Sequence, residues 1–185
     1  MEAKIDDVGC LIKNAKNGDE QAITRLITIH KGLVFTIVWR MTGDYHASQD
    51  LAQETFIKAF SNIRKVKSGD HFKPWLCTIT RNVVRDYFRK AKRTQAVSFE
   101  AIKDFHGDSN IDTTRRRVII QQGLAKLSQR DRMILTLAYY DGLSLGEVGK
   151  AMKMSEAAVK VCVHRARKRL RKHLEGYEYE LLSAC

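Results

Sequence analysis

Apolar residues return every three or four positions along almost the whole chain, and a single proline interrupts it. That spacing gathers them on one side of an α-helix, whereas a half-buried strand needs strict alternation. Ala22, Ile23, Leu26 and Ile29 predict a helix over 19–29, and Leu33, Val34, Ile37, Val38 and Met41 predict a second over 32–41. Gly43-Asp44 breaks the pattern. A third helix begins near Ala47, with Ala52, Phe56, Ala59, Phe60 and Ile63 inward. Pro74 stands where a fourth should start, a position that suits its fixed φ and missing N–H. That helix runs to about Lys92 with Trp75, Leu76, Ile79, Val83 and Tyr87 on its inner side.

Periodicity lapses over 94–114, where Ser, Gly, Asp, Asn and Lys surround isolated apolar residues. Such a stretch reads as a flexible linker. It separates a first domain, 1–93, from a second, 115–185, each large enough for a small core. In the second, Ser128-Gln-Arg-Asp131 and Ser144-Leu-Gly-Glu147 set an acid three residues after a hydroxyl, the pattern that starts helices. Asp141-Gly142 closes the helix between them. The expected fold class is all-α: two small helical domains joined by a flexible linker.

Charge narrows the partners. Among 185 residues, 33 Lys and Arg oppose 21 Asp and Glu, a net charge of +12 that points to a polyanion such as nucleic acid or an anionic membrane surface. No apolar run approaches the ~20 residues that span a bilayer. The opening MEAKIDDVGC also lacks the apolar segment of a secretory signal, so a cytoplasmic protein with no membrane insertion is expected. Cys10, Cys77, Cys162 and Cys185 form no C-x-x-C pair, and the six histidines show no metal-ligand spacing. Reduced thiols, no metal site and no cofactor follow as expectations. There is no G-x-x-x-x-G-K-[ST] loop and no nucleophile–base or paired-carboxylate spacing, so no residue is assigned as catalytic.

Over 144–171 the pattern is short helix, tight turn, longer helix. Leu145, Val148, Ala151 and Met152 face inward from the first helix, Met152-Lys153-Met154 turns, and Ser155 caps the second. Val159, Cys162, Val163, Ala166 and Leu170 line the second helix's inner face. Lys160, His164, Arg165, Arg167, Lys168 and Arg171 are left outward or on the flanks, with no acid between Lys160 and Lys172. A helix-turn-helix needs this arrangement, because its second helix enters the major groove while cations neutralise phosphates.

The stretch LSQRDRMILTLAYYDGLSLGEVGKAMKMSEAAVKVCVHRARKRL resembles the promoter −35-binding domain of extracytoplasmic-function sigma factors. Leu127, Arg130, Gly142, Ser144, Glu147, Val148, Val159, Lys160, Arg165, Ala166 and Arg167 match the family's pattern. Cys162 and Ala158 depart from it, standing where the family commonly has Arg and Thr. By resemblance, Ser155, Glu156, Lys160, His164, Arg165, Arg167 and Lys168 are the −35 candidates.

Two stretches of the first half resemble the same family. Asp50-Leu-Ala-Gln-Glu-Thr-Phe is similar to its "D-L-x-Q-E-x-F" signature, which implies that Asp50, Leu51, Gln53 and Glu54 dock on the β′ clamp helices of RNA polymerase. Phe72-Lys-Pro-Trp-Leu-Cys-Thr-Ile-Thr-Arg-Asn82, followed by Asp86 and Arg89, is similar to the segment that recognises and melts the −10 element. Arg81, Arg85 and Arg89 recur every four residues with Asn82 beside them and Arg93 at the end. By periodicity Trp75 belongs to the core more than to a base-stacking surface. The resemblance implies core RNA polymerase (β′ clamp helices and β subunit), promoter DNA and an anti-sigma factor as partners. A free-standing duplex-DNA regulator would account for the C-terminal half but leaves 50–60 and 75–93 without a task; an enzyme has no constellation to support it.

Overall fold

A computed structural model describes residues 7–93, 111–139 and 142–177, with the side chains of 93 and 111–114 outside that description; the described residues form helices and turns without a strand. A helix missed by the periodicity, α1 (Val8–Lys16), is capped by Asp7, whose carboxylate accepts from the Gly9 N–H. Asp19 starts α2 (Glu20–Thr42) by accepting from Gln21 and Ala22. Here one continuous helix replaces the two expected. Gly32 does not end it, because the apolar stripe keeps step through Leu26, Leu33, Val34 and Ile37, all buried. The helix stops at Gly43, whose φ of 72° lets its N–H turn back to the Trp39 carbonyl.

Asp44 then caps α3 (Tyr45–Phe60), two residues before the expected start. Short 3-10 turns at Ile63–Lys65 and Gly69–His71 lead into α4 (Phe72–Arg93). Pro74 lies in the first turn of α4, where helical N–H groups have no intrahelical acceptor to lose. The expected linker falls outside the described residues up to 110, and its last four residues are helix, because α5 spans Ile111–Ala125. In α6 (Gln129–Tyr139) the Ser128 hydroxyl accepts from the Asp131 N–H, but the Asp131 carboxylate binds Arg169 instead of returning to the cap. The box at Ser144 is complete: its hydroxyl accepts from Glu147 and the Glu147 carboxylate accepts from the Ser144 N–H, opening α7 (Leu145–Met152). Of the pair expected to close α6, Asp141 lies outside the described residues and Gly142 has a φ of 59°. The last helix, α8, spans Glu156–His173.

α2 is the axis of the molecule, with Leu26, Val34, Ile37 and Val38 at its centre and α1, α3 and α4 around it. By length and composition it is also a described helix apolar enough to cross a membrane, against the expectation that no run approaches that length. Its apolar side is instead the protein core. Cys77 is fully buried, Cys162 half-buried and Cys10 exposed; Cys185 lies outside the described residues.

The two helical halves share this core. α6 packs on α2 and α7 on α4, so Met133, Leu137, Val148, Ala151 and Val159 join the cluster built by α1–α4. A smaller cluster of Leu124, Leu127, Leu135 and Ala166 holds α5, α6 and α8 together. Polar side chains stitch the seam where α2 ends. Arg132 of α6, only 2% exposed, donates to the carbonyl oxygens of Met41 (2.8 Å), Ala125 (2.6 Å) and Leu127 (3.4 Å). Gln121 of α5 donates to those of Trp39 and Arg40 and accepts from the Arg40 guanidinium. Burial pulls the Arg132 pKa down to about 10, which leaves it cationic at neutral pH.

Arg132→Ala should cost about 3 kcal/mol in urea unfolding, since it strips buried carbonyls of a charged donor and leaves a cavity. A loss under about 1 kcal/mol would mean that water substitutes for the guanidinium. A second expectation concerns His30, whose Nδ1 donates to the Leu26 carbonyl oxygen at 2.9 Å while its ring meets Phe72 edge-on. Burial lowers its pKa, the Leu26 bond partly opposing this and Lys73 adding to it. The folded chain therefore keeps the imidazole neutral while the unfolded chain takes a proton below about pH 6.5, so stability present at neutral pH is lost on acidification. His30→Gln should flatten the fall in urea midpoint between about pH 7.5 and about pH 5.5; an unchanged slope would assign that sensitivity to other groups.

Candidate nucleic-acid interface

α8 is held from below by Val148, Ala151, Val159 and Ala166, all fully buried. The turn before it is tight: Lys153 adopts a φ of 56° and the Met154 N–H reaches the Gly149 carbonyl at 2.9 Å. A Cβ on Gly149 would lie 2.7 Å from the Met154 carbonyl oxygen, so the turn closes against bare backbone. With its inner face fixed, α8 exposes Lys160, His164, Arg165, Arg167 and Lys168. The Ser155 hydroxyl is occupied by the Ala158 N–H at 3.2 Å, so it serves the helix cap. Glu156 is exposed, with its carboxylate beside Gly146 of α7. Arg169, outside that set, pairs with Asp131 of α6.

Cys162 is half-buried, in keeping with its place on the helix's inner flank. The guanidinium of Arg130, from α6, lies 4.0 Å from its sulfur and 3.4 Å from that of Met154. A cation from a neighbouring helix thus stands beside the position where the family pattern carries its own. Val161 was absent from the sequence candidates, yet it is 48% exposed on the same outward face.

On α4 the arginine stripe divides. Arg85 and Arg89 are exposed and flank Asp86 at 3.8 and 3.4 Å. Arg81 is half-buried: its guanidinium donates to the Ala151 carbonyl oxygen at the end of α7 (2.6 Å) and to the Asn82 side-chain oxygen (3.1 Å). Burial lowers its pKa, with Arg85 adding repulsion. Arg93 ends the helix, but its side chain lies outside the described residues. Of the aromatics on α4, Phe72 and Phe88 are buried, whereas Trp75 and Tyr87 are only partly so. Trp75 packs on Phe72 with ring centroids 5.8 Å apart, as its period implied. Its open edge joins Lys65, Lys67, His71 and Thr78 around a cavity of about 210 Å³, over which Lys150 of α7 reaches. Loop 65–71, too irregular for residue assignments from the sequence, is brought to the helix here.

The α3 candidates do not form one surface. Asp50 and Gln53 are exposed, and Glu54 is half-exposed with Lys58 paired to it at 2.5 Å. Leu51 is only 6% exposed and belongs to the core, so in this structure it supports the motif without being open to a partner. Beside Gln53 runs an apolar groove of about 910 Å³ between α2 and α3, walled by Ile27, Phe35, Phe56 and Phe60. Ile57, 60% exposed, forms its rim. Periodicity counted Phe56 and Phe60 as inward. The signal for a groove was Ile57, an apolar residue out of step beside Phe56. A groove of this kind suits an amphipathic helix; Gln53 lines it, whereas Asp50 and Glu54 stand on the same helix outside its lining.

Comparison with known proteins completes the description. Residues 26–94 match the model for "Sigma-70 region 2" and residues 123–172 that for "Sigma-70, region 4". The sigma factor SigW of Bacillus subtilis is 30% identical, over 88% of this chain and 94% of its own. SigM of the same organism is 33% identical over 80% and 93%. Among solved structures, CnrH in complex with the cytosolic domain of CnrY superposes with a TM-score of 0.68 at 26% identity, covering 92% of this chain and 98% of that one. RpoE of Bartonella quintana, bound to the anti-sigma factor NepR, shares the fold with a TM-score of 0.71 at 22% identity, covering 83% and 96%.

If the Arg81 bond to α7 helps hold the seam, Arg81→Ala should speed amide exchange across α7 about tenfold and leave α3 unchanged. Equal rates in both proteins would show that packing alone holds α7 there.

Proposed function

The chain belongs to the extracytoplasmic-function family of RNA polymerase sigma factors, alternative sigma factors that direct promoter-specific transcription, and we propose which of its surfaces performs each step. The α2–α3 groove, lined by Gln53, together with Asp50 and Glu54 of the same helix, docks on the β′ clamp helices of core polymerase, with the β subunit as a further contact. Arg81, Asn82, Arg85, Arg89 and Arg93 of α4 engage the −10 element, and the Trp75 cavity receives an extruded base. Exposed residues of α8, Lys160, His164, Arg165, Arg167 and Lys168, meet the −35 element. Ser155 and Glu156 serve its N-terminal turn, through the cap and the edge facing α7.

The observation that carries this reading is α8 itself. Its core side is immobilised on α6 and α7, so its outward cations are displayed on a rigid helix at the end of a helix-turn-helix. Phosphate contacts of this kind hold register while base-edge contacts select sequence. Two weak sites on one chain reinforce each other by raising effective concentration, and here 94–114 is the connecting segment. Melting the −10 region costs stacking and pairing, part of which capture of a flipped base returns. No side chain needs to act on a covalent bond, so the factor selects the start site and leaves catalysis to polymerase. Its place of work is the cytoplasm.

The closed packing bears on access. Arg81 commits one N–H to Ala151 and another to Asn82, and Lys150 of α7 lines the Trp75 cavity. Separation of α7 from α4 would free the whole Arg81 guanidinium and widen access to the Trp75 cavity for the −10 element. A protein that holds the two halves together would act as an anti-sigma factor; CnrH, a relative of this fold, is in complex with the cytosolic domain of CnrY.

Transcription with purified core polymerase on a genomic fragment library tests the reading: discrete transcripts should appear only when the chain is added, and their absence together with no core association would overturn it. Glu54→Lys should weaken core association about tenfold without loss of stability, because Glu54 is exposed and its pair with Lys58 contributes little. Lys160→Ala and Arg165→Ala should each cost about fivefold in promoter binding, and reduce its salt dependence, while core affinity stays intact. Unchanged promoter use in both would count against α8 as the −35 reader.

A further inference from the structure

The outward face of α8 is not uniformly basic. Val159 and Ala166, both fully buried, define the side that packs on the protein. At 3.6 residues per turn, Val161 lies about 200° around the helix from Val159, almost diametrically opposite the core. Ala157 precedes it by one turn on the same stripe, and both are exposed. Lys160 and His164 run along one flank of that stripe and Arg165 along the other, all exposed. The cations thus straddle a short apolar strip whose most prominent member is Val161.

Nothing within α8 calls for a valine there. A β-branched residue has lower helix propensity than the Lys, Arg or Ala around it. Its side chain is 48% exposed, so burial in the monomer does not compensate. A helix seated in the major groove points the side opposite its core toward the groove floor, and its flanks toward the two sugar–phosphate walls. Lys160 and Arg165 are therefore placed for the walls and Val161 for the floor. On that floor the one apolar group a base pair presents is the 5-methyl of thymine; the other groups there are hydrogen-bond donors and acceptors. A valine facing any of those would leave them unpaired on desolvation. The small side chain of Ala157 lets the helix approach closely enough for the contact.

We propose that Val161 is a specificity-determining residue of this sigma factor, selecting thymine at one position of the −35 element by packing its methyl groups on the thymine 5-methyl. The proposal rests on the reading of α8 as the −35 helix and adds the base that its centre selects. Lys160, His164 and Arg165 then set affinity and register, and the apolar strip sets one letter of the sequence.

The test uses the full chain assembled with core polymerase and a promoter fragment recovered by transcript mapping. Each thymine of its −35 element, on either strand, is replaced in turn by deoxyuridine, which deletes the methyl and keeps every hydrogen-bonding group. With the unsubstituted chain, one position should lose about fourfold in equilibrium binding, equivalent to ~0.8 kcal/mol for one buried methyl. Val161→Ala should bind the unmodified fragment about fourfold more weakly and show no further loss with deoxyuridine at that position. Val161→Thr, which keeps one methyl, should fall between. Alanine favours the helix and position 161 is exposed, so the variant folds. Equal deoxyuridine effects in both proteins, no effect at any thymine, or an element without thymine would overturn the assignment of Val161 while leaving α8 as the −35 helix. Failure of the unsubstituted holoenzyme to protect any −35 sequence would overturn both.

Discussion

The C-terminal end of α2 is the point on which the structure turns. The last carbonyls of any helix lack intrahelical donors, and burying them unpaired is costly. Gly43 answers one of them within the turn, through its N–H on Trp39. The others are answered from the far half of the chain, by Gln121 on Trp39 and Arg40 and by Arg132 on Met41. Arg132 also holds the carbonyls of Ala125 and Leu127, so one guanidinium ties the α5–α6 connection to the end of α2. Around this polar knot the apolar seam closes, with Met133 and Leu137 entering the core that α2 organises.

That seam has a functional cost. α4, the proposed −10 helix, presents Arg85 and Arg89 to solvent but bonds Arg81 to α7, while α8 exposes Lys160, His164, Arg165, Arg167 and Lys168. The clamp groove between α2 and α3 lies away from α7 and is open. The three proposed surfaces are therefore unequally exposed: the α2–α3 groove and the outward cations of α8 are open, whereas Arg81 and the Trp75 cavity are partly covered by α7. Because Arg132 and Gln121 bond backbone groups, the seam depends on the position of the α2 terminus more than on the identity of its side chains.

Much of the local architecture was legible in advance. Ser144 and Ser155 announce their helices because a short polar side chain next to an apolar period has few competing uses, whereas Asp44, read as part of a break, is the cap of α3. Two helices were expected over 19–29 and 32–41 where α2 is one, and a single glycine at position 32 costs only about 1 kcal/mol, less than the burial gained by an unbroken stripe. Leu51 sits in a signature associated with docking, yet its side chain is in the core, since adjacency in a motif does not mean a shared face. The groove beside Gln53 needed two helices to be seen, and Val161 was passed over because a pattern search for DNA contacts looks for charge.

The sequence by itself determined the all-α fold, the helix-turn-helix, the cationic character of α8 and the family, because these follow from spacing and composition within short windows. Tertiary structure alone decided that the two halves share a core, and that Arg81 serves the seam while Arg85 and Arg89 face water. Each depends on which backbone carbonyl or neighbouring helix a side chain meets across seventy or more residues of chain, as in Arg81 with Ala151 and Arg132 with Met41. Periodicity along one helix carries no information about such encounters.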